Sequence, residues 1–259
     1  MESGHTVGYL SDLLVIADPT TLAREAAERF TQIAEEAVAR CGRFTVALAG
    51  GSTPKGLYSL LAAEPYCTRL PWQNTHVFWG DERAVPPAHP DSNFGMAATI
   101  LLNRVPIPAD QVHRMQAEQA DLDAAAGEYQ AEIARTLAAQ PSDEPPAFDL
   151  ILLGLGTDGH TASLFPYTQA LRETARWVVP NYIPELKTTR LTLTIPILNR
   201  GATILFLVSG AEKASVLQAV LQGPADPKRL PAQLIRPVAG RLVWLVDQAA
   251  ASRLSDKAP

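Results

Sequence analysis

The chain has 259 residues, 47% of them hydrophobic and 19% charged, with 22 Lys and Arg against 27 Asp and Glu and a formal net charge of -5. That is enough apolar material for a full buried core, and we take residues 1–259 as one α/β domain. No diffuse basic field is present to hold nucleic acid or an anionic membrane, so an anionic ligand has to be bound by local groups.

The chain opens on Met-Glu-Ser-Gly-His-Thr, which lacks a basic region followed by an apolar stretch, so no secretory signal is expected. Leu22, Ala26, Phe30, Ile33 and Ala37 recur at spacings of three and four and predict a helix over Thr20 to Arg40, ended by Cys41-Gly42. A strand at Phe44 to Ala49, a helix at Pro54 to Ala62, a strand at Thr75 to Trp79 and a helix at Ser92 to Leu102 follow. A short strand at Val112 to Met115 leads to a long helix, Leu122 to Ala139. The proline-rich stretch Gln140 to Ala147 reads as a surface loop. Phe148 to Leu153 is almost continuously apolar, as expected of a parallel strand covered on both faces.

Two further β-type stretches, Trp177 to Pro180 and Thr189 to Ile195, leave little room for a crossover, so part of the sheet is expected to be antiparallel. A strand at Thr203 to Val208, a helix at Glu212 to Leu221, a strand at Leu242 to Val246 and a helix at Asp247 to Leu254 complete the chain. The alternation predicts a doubly wound, mostly parallel open sheet with helices on both faces. Apolar runs such as Ala202 to Val208 are too short to span a bilayer. Cys41 and Cys67 form no CxxC pair, and a reducing cytoplasm is the simplest setting.

Four polar, glycine-containing segments begin where strands end, the edge at which open α/β sheets bind ligands. The first, Gly50-Gly51-Ser52-Thr53-Pro54, offers a cap, a proline for the first turn, and backbone N–H groups an anion can approach. It lacks the Lys-Ser/Thr ending of a triphosphate loop. The second, Gly80-Asp81-Glu82-Arg83, sets an acid and an arginine at a strand end, and Asp91 or Ser92 caps the helix beyond His89. The third, Gly154 to His160, contains GxGxxG. The motif lies mid-chain, His160 follows the last glycine, Pro166 soon ends the segment and no acid ends a strand at the required distance, all of which weigh against a dinucleotide site.

Instead, the glycines can hold Asp158 and His160 on a tight turn, where an imidazole takes a proton from water and a carboxylate fixes its tautomer. The fourth, Ser209-Gly210-Ala211-Glu212-Lys213, brings a lysine that can reach over the sheet edge. His5, His76, His89, His113 and His160 have no metal-ligand spacing, and neither a metal nor an organic cofactor is expected; a serine nucleophile is unsupported, since no G-x-S-x-G elbow follows a strand.

These segments, together with His89-Pro90-Asp91-Ser92-Asn93, Gly154 to Pro166 and Arg190-Leu191-Thr192-Leu193-Thr194, resemble the 6-phosphogluconolactonase family. The resemblance spreads over most of the chain. It implies a fold shared with glucosamine-6-phosphate deaminases and metal-free hydrolysis of 6-phospho-D-glucono-1,5-lactone. His160 would be the general base, Asp158 its partner, and Gly50, Gly51 and Gly156 a source of oxyanion donors. Ser52, Thr53, Arg83 and Lys213 would hold the 6-phosphate, with Asp81 and Asn93 supporting or contacting the sugar.

The expected partner is the phosphosugar lactone alone, with no obligatory protein. The deaminases carry a Glu five residues after the His and usually Asp-Glu-Tyr in the second segment; Phe165 and Arg83 stand there here. A non-catalytic phosphosugar sensor is the other alternative, and it would need neither Asp158 nor His160.

Overall fold

Helix α1 (Pro19–Cys41) begins where Asp18 accepts the N–H groups of Thr20 and Thr21 at 2.8 and 2.9 Å, and ends at Gly42. There a φ of 77° returns the glycine N–H to the carbonyl of Val38, an exit that costs an L side chain. This computed structural model describes residues 10–140 and 144–255; His5 and the middle of the proline-rich loop, 141–143, lie outside the described residues.

The strands are β1 (Leu10–Ile16), β2 (Phe44–Leu48), β3 (Thr75–Trp79), β4 (Asp81–Arg83), β5 (Leu150–Leu153), β6 (Val178–Ile183), β7 (Thr188–Leu193), β8 (Thr203–Val208) and β9 (Arg241–Asp247). Six form a parallel sheet in the order β1-β9-β8-β5-β2-β3. Further helices are α2 (Thr53–Leu61), α3 (Tyr66–Arg69), α4 (Asn93–Ile100), α5 (Leu122–Leu137), α6 (Ile195–Leu198), α7 (Ala214–Gln222) and α8 (Gln248–Ala251).

Alternation along the strands splits the core into two layers. Val46, Leu48, Val77, Trp79, Leu150 and Leu152 pack with Leu22 and Phe30 of α1, Leu57 of α2 and Ala97 of α4. Ala47, Phe78, Ile151, Leu153 and Phe206 point the other way, onto Tyr129 and Ile133 of α5 and Leu217 of α7. The doubly wound sheet with helices on both faces is therefore as the alternation requires.

Two expectations need correction, and one strand was not foreseen. The antiparallel strands do not extend the main sheet: β4, β7 and β6 form a separate three-stranded sheet in the order β4-β7-β6. Its Val178, Leu191 and Leu193, with Trp177 just before β6, cover the layer that contains α5. Val112 to Met115 makes only a single bridge, Val112 to Val77, because the chain leaves the edge after His113 donates to the Val77 carbonyl. Residues 10–16, to which no element was assigned, supply the edge strand β1 through parallel pairing with β9.

Candidate active site

β2 has β3 on one side and β5 on the other, and the later strands β8 and β9 continue away beyond β5. The chain thus winds outward in two directions from the β2/β5 junction, leaving a crevice at the carboxyl ends of those strands. A cavity of about 300 Å³ lies there, lined by residues from Leu48 to Pro54, from Leu152 to Thr157, and from Leu207 to Ser209. Gly80, Asp81, Arg83, His160, Ala162, Arg190, Glu212 and Lys213 complete its wall. All four glycine-containing segments meet at this one rim.

The turn after β5 is closed by backbone bonds: Gly156 N–H donates to the His160 carbonyl at 2.8 Å, and Gly159 N–H to the Gly156 carbonyl at 3.0 Å. Asp158 Oδ1 accepts the His160 backbone N–H at 3.1 Å and lies 2.5 Å from His160 Nδ1. With a carboxylate as acceptor Nδ1 is the donor, and in the neutral ring the lone pair then lies on Nε2. Burial would raise the Asp158 carboxyl, but the hydrogen bond and charge of His160 prevail and hold it below its usual value. The imidazole lies so close over Gly156 that a Cβ there would overlap Nδ1 and Cε1. The Gly156 N–H is engaged with the His160 carbonyl, which corrects its expected place among the oxyanion donors.

The cationic side of the cavity is denser than the sequence reading anticipated. Arg83 on β4 and Arg190 on β7 are direct cross-strand partners. Like charges directly opposed on a sheet repel. Both guanidinium groups carry a buried Nε with no hydrogen-bond partner, although Arg83 Nη1 donates to the Asp91 carbonyl. Burial pushes Arg190 down from its ordinary value while Asp81 pulls it back up. An anion in the cavity would relieve both the repulsion and the unpaired N–H groups.

Across the crevice, Ser52 sits at the N-cap of α2 without making a side-chain cap bond, and Thr53 and Pro54 form its first turn. The α2 N-terminus therefore still offers dipole and donors. Lys213 precedes α7 on a loop fastened by buried Asp247, which accepts from Ser209 Oγ at 2.6 Å and from the Gly210 N–H.

Asp81 lines the cavity, but its carboxylate accepts from Ser163 Oγ at 2.6 Å and Asn93 Nδ2 at 3.3 Å. Asn93 is 1% exposed and does not line the cavity. Its amide also donates to the Asp81 carbonyl at 2.9 Å, and it lies where a Cβ on Gly50 would sit. Of the two roles read for Asn93, its contacts favour support, of Asp81 and of the glycine turn.

Sequence reasoning gave no role to Arg190 or Ser163. Arg190 opens the strand motif Arg190 to Thr194, and its pairing opposite Arg83 was the missing signal. Among the described residues, no group of three or more His, Cys, Asp and Glu is arranged to hold a metal ion. No helix of the described residues is long and apolar enough to cross a membrane.

Residues 17–244 match the family described as glucosamine-6-phosphate isomerases/6-phosphogluconolactonase. A 6-phosphogluconolactonase of Synechocystis sp. is 47% identical over 220 residues, covering 85% of this chain and 88% of that one. The solved 6-phosphogluconolactonase of Trypanosoma cruzi superposes with a TM-score of 0.85 at 30% identity, covering 97% of this chain and all of that one. A monomeric glucosamine-6-phosphate deaminase, 22% identical, covers 94% of this chain and all of its own at a TM-score of 0.78, which shows the shared fold.

Proposed function

The chain belongs to the family of glucosamine-6-phosphate isomerases and 6-phosphogluconolactonases, and from that premise we propose that it hydrolyses 6-phospho-D-glucono-1,5-lactone to 6-phospho-D-gluconate in the oxidative pentose phosphate pathway. The observation that carries this reading is one cavity holding both an Asp158–His160 couple and the cross-strand cations Arg83 and Arg190.

Arg83, Arg190 and Lys213 take the 6-phosphate, aided by Ser52, Thr53 and the α2 N-terminus. His160 Nε2 removes a proton from water as its oxygen attacks C1 of the lactone, and Asp158 stabilises the imidazolium. The negative charge on the former carbonyl oxygen is met by backbone N–H groups of the Gly50-Gly51 turn. On collapse the bond from C1 to the ring oxygen breaks, and the imidazolium returns its proton to that oxygen. The product carboxylic acid then loses a proton to solvent.

We read the described residues as one catalytic domain, because strands of both sheets build the cavity. The free Cys41 and Cys67 suit a cytoplasmic enzyme. The test generates the lactone in situ and follows its acid product with a coupled dehydrogenase. Acceleration over spontaneous hydrolysis is expected. Tight phosphosugar binding without acceleration would overturn the reading in favour of a sensor, and ammonia release from glucosamine 6-phosphate would favour a deaminase.

A further inference from the structure

The imidazole of His160 is held by more than its carboxylate. The Phe165 ring lies against it with centroids 3.9 Å apart and planes 20° from parallel, and the Arg190 guanidinium carbon stands 5.3 Å from the same ring centroid. Phe165 is itself fixed: it is 6% exposed, and its carbonyl accepts the Thr168 hydroxyl at 2.7 Å. The turn from His160 to Thr168 contains two residues in the left-handed region, Ala162 at φ 47° and Tyr167 at φ 60°. Such conformations persist only where the surroundings over-determine them.

We propose that Phe165 is a positioning residue for the base, its ring closing one face of the His160 imidazole so that Nδ1 stays on Asp158 and Nε2 stays toward the cavity. The proposal rests on the reading of His160 as general base. The physical reason is that a single hydrogen bond leaves a ring free to rock about its bond axis, whereas a stacked ring removes that freedom. Gly156 supports the imidazole at its Nδ1 and Cε1 edge, so the stack supplies a second constraint. Arg190 is tied to the same ring by a cation–π contact, which couples the anion-binding wall to the base.

The experiment compares Phe165→Leu, which keeps apolar bulk without a flat face, with Phe165→Tyr, which keeps the face. Each full-length protein is labelled with ¹⁵N-histidine, and kcat, KM and the ring-nitrogen shifts of His160 are measured. Phe165→Leu is expected to lower kcat about tenfold or more with KM within about twofold, because a base displaced by a fraction of an ångström loses alignment rather than affinity. Its ring nitrogens should shift from a single Nδ1–H tautomer toward an average of the two. Phe165→Tyr should restore both.

Unchanged kcat and tautomer in Phe165→Leu, equal losses in both variants, or a loss confined to KM would each overturn the proposal. The tautomer readout needs no turnover. A wild-type protein that fails to hydrolyse the lactone, yet shows the predicted nitrogen shifts, would remove the hydrolytic reading while supporting the stack.

Discussion

In a neutral His160 ring, commitment of Nδ1 to Asp158 leaves the lone pair on Nε2, so the proposed base depends on both residues. Replacing His160 by Ala is expected to lower kcat by about 10²- to 10⁴-fold, the usual contribution of a positioned general base, with phosphosugar affinity nearly unchanged. Loss of affinity in step with rate, seen by calorimetry with 6-phosphogluconate, would contradict that role. Arg190 and Lys213 should behave in the opposite way. Removing either takes away a charge-assisted contact worth about 1.5–3 kcal/mol, so KM should rise roughly ten- to a hundredfold while kcat holds. A KM untouched by Arg190→Ala would locate the phosphate elsewhere. Lys213 was legible from the chain because it follows a glycine at the end of a strand. Arg190 was not, because a charged residue in a strand gains meaning only when the register sets it opposite Arg83.

The short strand β4 and helix α4 form a joint that carries Asp81 and Arg83 of the cavity wall and the supporting Asn93. Glu82 on β4 is 3% exposed, and its carboxylate accepts the backbone N–H groups of Arg83, Asn93 and Phe94 at 2.8 Å each, together with Ser92 Oγ. Burial pushes this carboxyl above its usual value against the pull of those N–H groups. By tying the start of α4 to β4, Glu82 holds Asn93 between Asp81 and Gly50. Glu82→Gln would turn an amide NH₂ toward at least one donor, and the unpaired buried group should cost about 1–3 kcal/mol. A urea midpoint unchanged from wild type would refute this. The Ser92 cap was legible from Asp91-Ser92-Asn93, and Ser92 Oγ does accept the Gly95 N–H. β4 itself was not legible, since three consecutive charged residues have no apolar alternation; they become a strand only by pairing with β7.

At the scale of the molecule, the parallel sheet was readable because continuous apolar runs such as Leu150–Leu153 require cover on both faces, and glycines at strand ends mark the functional rim. Assignment of β6 and β7 to a separate sheet was not, because periodicity shows which face a strand buries and not which neighbour it takes. Away from the active site, the seam between β3 and α5 is held by a chain of polar contacts. His113 N–H donates to the Val77 carbonyl, the ring stacks on Phe78, Nδ1 lies 2.7 Å from Glu132 of α5, and Nε2 lies 3.0 Å from His76 Nδ1. Glu132 is shared with Arg135. Burial first, then the Arg135 charge, pushes His113 from 6.5 down to about 4, with Asp110 opposing, and burial lowers His76 as well. A histidine whose pKa is lowered by folding is protonated more readily in the unfolded chain, so the unfolded state gains protons first as pH falls. The contribution of His113 is therefore complete above about pH 6.5 and declines as pH drops toward about 4, by roughly 3 kcal/mol. Urea midpoints between pH 7.5 and 4 should follow that slope, and His113→Gln should flatten it even though the variant starts less stable at neutral pH. A wild-type midpoint that stays level from pH 6.5 to 4.5 would mean that His113 is already protonated in the folded protein, with Glu132 rather than burial governing it.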